Sequence, residues 1–585
     1  MNNNSTDGNK EAAAESLPKG SFAAEMERVE TRKEGREGRE FEKVLAGRGK
    51  ADKRPALYLP VHGLTERRDC YEPFYQGCAQ TGRFFYRDEA FSYVEEAPEA
   101  GLGLRVLEPG ELTAEIETVF SLRKKFIDKE GVEQERPVNL ELKEALLILK
   151  DSISARKYSR KLRLLSASPI LIERDGEPVI LPRGYHADVG GVYVTGELEI
   201  PETTVEEAKT LLLDLVRDYD FVSRGDRSRA VAYFLSAALK LGNLLDTDYP
   251  FNVVISNREQ SGKGHLFKML AALYGETPYV ITKTTGGVGS FDEKVSAALL
   301  SAKLFVIVDN ARGDVDSQLL ESILKGVGVV NVRVPYRGNL SVDARRCLWG
   351  LTSNVANFTR DLAARSIIVN HRKQAPGYKP QSSLGWGDVV LVRLAAQRAL
   401  YLGAVYAVVA EWIRRGKPRS DETRHAFRDW VQPMDYIIRE ILGLAPLMEG
   451  QEMARAILSN RAYGWLREVA LKVDETGQLG VPLQASAIGD LCEEEDITIP
   501  GLRETKASPL LHREDRNKQV GINLKKIFED IPPIENAPKG TPEGLRRLEL
   551  EGYEVERWEE RAPGETKPVK KYRIVKKVCP GDETV

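Results

Sequence analysis

The chain has 585 residues, 42% hydrophobic and 30% charged, which is material for several cores at about 150 residues per domain. Lys and Arg number 85 against 88 Asp and Glu, a net charge of −3, so any DNA-binding surface must be a local patch. The 5 Cys and 6 His form no CxxC or HxxxH cluster, which argues against structural zinc and disulfides and for a reducing, cytoplasmic setting.

Residues 1–54 interleave Lys, Arg and Glu with little apolar at a helical period. Such a segment buries too little to offset its ordering entropy, so a disordered charged arm is expected. From Pro55 the segments LYLP, RFFYR and AFSYVEE read as strands, and GELTAEIETVFSLRKKFID carries a helical apolar period. Two β-rich runs flank Asp175-Gly176, a hairpin signal. Thr204 and Glu207 form a capping box ahead of EEAKTLLLDLVRDY, and a second helix spans roughly Arg227 to Leu245.

The stretch FNVVISNREQSGKGHLFKMLAAL reads as a β-branched strand, a polar loop and an amphipathic helix. That order makes an anion site from backbone N–H groups and a helix N-terminus. Against GxxxxGK[ST], residues 257–264 read NREQSGKG. Gly262 and Lys263 match, Asn257 replaces the first Gly but tolerates positive φ, and Gly264 removes the hydroxyl that normally ligates Mg²⁺. An SGKG turn is also found as an ordinary strand-to-helix loop.

Downstream, AKLFVIVDN reads as a buried strand ending in Asp309, followed by Asn310. Next come the helix DSQLLESILKG, the basic stretch VVNVRVPYRGN, the strand CLWGLTSN ending in Asn354, and FTRDLAARSIIV with Arg365. After Pro380 the chain turns helical, and its last segment reads as three helices and a two-stranded hairpin. The longest apolar run, Ala399 to Ile413, is about 15 residues and too short for a membrane span.

In this order and spacing, residues about 200–445 resemble the superfamily 3-type, AAA+-related helicase ATPases of phages, plasmids and other mobile elements. No clustered acidic site for a primase precedes residue 200. The resemblance, with the reading of the flanking segments, gives a multidomain α/β fold: a disordered arm (1–54), a small α+β region (55–200), a P-loop ATPase core (201–380), a helical lid (381–450) and, from the order of three helices and a hairpin, a winged helix (451–585).

It further implies ATP and Mg²⁺ as cofactors, with Asn257, Gly262, Lys263 and Gly264 around the phosphates and Asp309 organising the metal. Asn310 and Asn354 would place the attacking water. Arg365 would be an arginine finger across a subunit boundary, or else a helix-end cation paired with Asp361. Arg333, Tyr336 and Arg337 fall where the family carries a DNA-gripping hairpin. Lys525, Lys526, Lys570 and Lys571 of the last domain would contact phosphates or only solvate the surface.

The activity so implied is an ATP-dependent DNA helicase or translocase acting in replication of a mobile element. Its partners would be single-stranded or forked DNA, further copies in a hexameric ring and a separate primase, with no membrane. The alternatives are a non-unwinding replication initiator that uses ATP as an assembly switch, or a defence-type NTPase module.

Overall fold

The computed structural model describes residues 54–97, 101–256, 258, 260–282, 290–315, 317–324, 328–334, 338–381, 390–502, 509–529, 531–534, 541–550, 552–561 and 568–576. The expected charged arm (but for Arg54), Asn257, Tyr336 and Arg337 lie outside these residues.

The described residues fall into two compact units, one drawn from 54–74 and 109–145, the other from 75–108 and 146–576. In the first, the single helix expected over GELTAEIETVFSLRKKFID is instead a helix, Pro109–Val119, and a strand, Ser121–Ile127. The strand lies between Ala56–Tyr58, to which it is parallel, and the antiparallel Glu133–Pro137. Pairing on both edges, with Phe120 and Leu122 buried, overrides the local helical period.

In the second unit the Asp175-Gly176 hairpin forms as expected, with φ of 53° and 84° at the turn between Ile170–Arg174 and Glu177–Leu181. Helix α1 (Val205–Leu215) starts at the Thr204–Glu207 capping box. A second box, Ser223 with Asp226, starts helix α2 (Arg224–Leu241), three residues earlier than the sequence suggested. Asp226 also bonds the buried Arg229 at 2.6 Å, and Arg229 donates to the carbonyls of Ile368, Leu447 and Glu449. A buried guanidinium so saturated is a rigid tie between α2, the sheet and the helical segment after it.

The central sheet is built from β1 (Phe251–Ser256), β2 (Tyr279–Thr282), β3 (Phe305–Val315), β4 (Leu348–Phe358) and β5 (Ser366–Arg372). These five are parallel and ordered β5-β1-β4-β3-β2, with the short antiparallel strand Asp220–Phe221 beyond β5. All six residues of β1 are buried, as befits a central parallel strand covered on both faces.

Alternation along the strands feeds two cores. Val254, Ile307 and Ile367 join α1, α2, helix α3 (Lys263–Leu273) and the later helix Arg398–Arg414. Val253, Ile255, Val306 and Val308 join the helices Phe291–Leu300 and Gln318–Leu324 on the other face. Helices thus cover both faces, an α/β arrangement whose ligand sites lie at the carboxyl ends of the strands.

Both β3 and β4 run beyond the residues where the sequence suggested they would stop, Asp309 and Asn354. A bulge between Val308 and Arg312, with Asn310 at φ 49°, lets the pair resume and continue to Val315 and Phe358. Helix α4 (Arg360–Ala364), capped by Thr359, then turns the chain into β5.

The helical stretch after Pro380 contains Val390–Ala396 and α5 (Arg398–Arg414), bent by 80° at Gln397. No single helix among the described residues is long and apolar enough to cross a membrane. The C-terminal part has α6 (Arg461–Glu475), α7 (Ala485–Glu494) and α8 (Pro509–Phe528), then an antiparallel sheet of β6 (Arg546–Leu550), β7 (Tyr553–Glu560) and β8 (Val569–Lys576). The expected two-stranded hairpin therefore gains a third strand, β6. Leu483, just ahead of α7, bridges Tyr572 on the other edge of β8. Leu466, Leu491, Leu524, Val555 and Ile574 close a core of this part's own.

Candidate nucleotide site

The loop from β1 to α3 turns through left-handed backbone at Gln260 (φ 56°) and at Gly262 (φ 91°), the residue that caps α3. Gly262 suits that conformation because it lacks a Cβ. The first N–H groups of α3 are thereby presented beyond the carboxyl end of β1, where an anion is favoured.

Lys263 opens α3 and is 8% exposed. Its ammonium donates to Asn354 Oδ1 at 2.6 Å, to the Arg258 carbonyl at 3.2 Å and to Ser261 Oγ at 3.4 Å. These bonds hold the ammonium over its own loop, at the helix N-terminus.

Asp309 lies on β3, exposed, at the same end of the sheet. Its Oδ1 accepts the Thr352 hydroxyl at 2.5 Å, and Thr352 Oγ1 accepts the Asn310 N–H at 2.8 Å. Thr352 and Asn354 are two apart on β4 and so share a face. A Cβ on Gly264 would stand 3.7 Å from Asp309 Oδ1, so the carboxylate abuts the first turn of α3. Lys263, Gly264, Asp309, Asn310 and Asn354 are thus gathered at one place.

Arg365 is elsewhere on the same chain. Its carbonyl accepts the N–H of Phe251, the first residue of β1, so it sits at the amino end of the sheet. The six residues of β1 separate it from the loop by about 17 Å at the usual rise. Its guanidinium pairs with Asp361 at 2.8 Å, and Nη1 has no partner among the described residues.

Arg333 lies on a two-stranded antiparallel hairpin, Val329–Val334 with Gly338–Asp343, opposite Asn339. Lys525 and Lys526 are exposed in the last turn of α8. On β8, Lys570 faces Glu559 and Lys571 faces Trp558, while Arg573 bonds Glu556 at 2.6 Å. Acidic neighbours offset part of the charge of that strand.

Several residues escaped sequence reasoning. Thr352 was legible in LTSN, where period-2 alternation puts it beside Asn354. No sequence signal announced Arg467, from α6, which donates to the Asn354 carbonyl at 3.3 Å. Nor was the pairing of loop residue Arg258 with Glu475 of α6 foreseeable. Tyr219 was equally silent: its hydroxyl donates to the Gly262 carbonyl at 3.2 Å, and its ring meets His371 edge-on at 5.1 Å. Burial beside the Lys263 ammonium lowers the pKa of His371 to about 4, so its imidazole is neutral.

Solved structures that align with this chain include helicases. It aligns with JCV helicase at 13% identity and a TM-score of 0.23, covering 43% of this chain and 64% of that one. It thus spans less than two thirds of the JCV helicase chain. With the SCCmec type IV Cch active helicase it shares 11% identity at a TM-score of 0.24, over 84% of this chain and 97% of that one. No protein-family model and no curated protein matches the chain.

Proposed function

We propose that the chain is an ATP-driven DNA helicase or translocase acting in replication of a mobile element as a ring of copies. The observation that carries this reading is the convergence of Lys263, Asp309 and Asn354 at the α3 N-terminus, beyond the carboxyl ends of β1, β3 and β4. In the order β5-β1-β4-β3-β2, β1 leads into the loop before Lys263, and its neighbours β4 and β3 carry Asn354 and Asp309.

In this reading the α3 amides and the Lys263 ammonium hold the β- and γ-phosphates, releasing Asn354 to orient water. Magnesium, when bound, neutralises phosphate charge. The residues fit it: an exposed carboxylate, Asp309, stands beside the phosphate position, and Mg²⁺ commonly takes one or two carboxylates with phosphates and waters. No group of three or more His, Cys, Asp or Glu that could cage a metal occurs among the described residues, so the ion would come with the nucleotide. Thr352 fixes the Asp309 carboxylate by hydrogen bonding. Catalysis rests on placement and charge stabilisation, since the Asn310 amide cannot take a proton at neutral pH.

The hairpin carrying Arg333 supplies a DNA contact, and the C-terminal helices with their sheet act as a winged helix whose Lys525, Lys526, Lys570 and Lys571 meet phosphates. Arg365, at the amino end of the sheet and remote from its own loop, is assigned to a finger that serves a neighbouring copy. Asn310, in place of a second carboxylate, favours a second reading, an initiator that uses ATP as an assembly switch.

The test is ATP turnover with and without single-stranded DNA, alongside strand displacement on a fork. Stimulation and displacement, both lost in Lys263→Ala, are expected. Nucleotide-dependent assembly without stimulation or displacement would leave the switch.

A further inference from the structure

Beside the phosphate loop lies a cavity of about 350 Å³, lined by Tyr219, Gly262, Met269, His371, Tyr378 and Val390 among others. Its volume is in the range of small-molecule sites, and its mixture of aromatic and aliphatic walls suits a flat heteroaromatic ring. Gly262 belongs both to this wall and to the cap of α3, so a ligand in the cavity is contiguous with an anion at the helix N-terminus. Tyr219 is fastened to that junction through its bond to the Gly262 carbonyl, and Phe221 stacks on it at 5.7 Å.

The polar groups around the cavity are largely engaged. The Asp218 carboxylate accepts the Tyr378 hydroxyl at 2.7 Å and the Gln381 N–H at 2.8 Å, and its carbonyl accepts the Gln374 amide at 2.7 Å. His371 differs. It is 1% exposed, and its Nδ1 lies 3.2 Å from the Arg372 carbonyl. A carbonyl only accepts, so the proton is on Nδ1 and Nε2 carries a lone pair. That Nε2 is buried and has no partner among the described residues. A buried acceptor left unmet is costly, which makes it a place for a ligand donor.

We propose that this cavity receives the purine base of the nucleotide, with His371 Nε2 accepting the exocyclic amine of adenine. The proposal rests on the phosphate-loop reading and adds to it the group that selects the base. A site built around a hydrogen bond rejects an analogue lacking the donor, because the buried partner is then unpaired.

The experiment compares ATP with purine riboside triphosphate, which lacks only the 6-amino group, by calorimetry on the full chain. Wild type is expected to bind ATP more tightly by about tenfold or more. His371→Phe keeps a ring but no acceptor, so ATP affinity should fall to that of the analogue and the preference vanish. Equal binding of the two nucleotides by wild type overturns the proposal, as does a preference that survives in a folded His371→Phe. Should that variant melt early, the wild-type comparison decides alone. Failure of the phosphate-loop reading looks different: Lys263→Ala would then leave the affinity for both nucleotides unchanged.

Discussion

Lys263 and Asp309 are held by different kinds of partner, and the difference sets what their substitution should do. Lys263 is nearly buried and donates to Asn354, Ser261 and the Arg258 carbonyl, so Lys263→Ala removes the cation placed for the phosphates. Calorimetry should record loss of nucleotide binding with a melting profile close to wild type. Thr352→Val keeps the shape but withdraws the hydroxyl that orients Asp309 and receives the Asn310 amide. Magnesium-dependent turnover should fall by about tenfold or more while ATP affinity changes little, since groups that hydrogen-bond a metal-binding carboxylate act on that scale. Unchanged turnover in steady-state assays would remove Thr352 from the site. Arg365→Ala should keep nucleotide binding and lose most turnover, and mixing it with Lys263→Ala should restore part of it. No recovery at any ratio would count against a shared site.

At the scale of elements, the approach of α3 to the sheet depends on a missing side chain. A Cβ at Gly350 of β4 would lie 2.5 Å from the Phe267 ring of α3, closer than real Cβ contacts. Gly350→Ala should therefore cost about 1–3 kcal/mol in urea unfolding, as overpacking does. Adding Phe267→Leu should recover part of that loss, because the clash is with this ring. The loop-to-helix geometry at Gly262 is set by the same packing, so the single Gly350→Ala change should also weaken nucleotide binding. The prolonged β3–β4 pair has its own consequence. Together with α6 it borders a cavity of about 530 Å³ that includes Asn354, Arg467 and Trp465.

For the second unit as a whole, pH dependence separates two opposing contributions. Burial lowers His371 to about 4 and His425 to about 3, against an ordinary value of 6.5. The unfolded chain then binds more protons below pH 6.5, so their contribution to stability is lost as pH falls through that value toward 4. Burial raises Glu276 to about 7. There the folded chain binds more protons between about 4.5 and 7, so stability from this group is lost as pH rises through that window. Glu276→Gln removes only the second effect. Its stability relative to wild type should climb from pH 4.5 to pH 7, at roughly 1 kcal/mol per unit at most. Urea midpoints at the two pH values measure it, and parallel curves would place the Glu276 charge in water.

The sequence by itself determined the local pieces. The β-branched run of β1, the Thr204–Glu207 box, the Asp175-Gly176 turn and the SGKG loop are short-range chemistry, and each formed where its residues lie. Lys263 could be named from the SGKG turn, and Asp309 and Asn354 from the apolar runs they close in the sequence, although both strands continue past them. Long-range pairing decided the rest. Whether SLRKKFI became helix or strand depended on the two strands that flank it, and β3 and β4 outran their expected ends because each offered the other a ladder. The partners of the site, Thr352 for Asp309 and Arg467 for Asn354, come from 43 and 113 residues away. Tyr219 and His371 meet only because the antiparallel strand Asp220–Phe221 lies against β5. Sequence periodicity reports which face a side chain takes, but not which distant segment will pack against that face, and that packing brought Asn354 to Lys263 and Thr352 to Asp309.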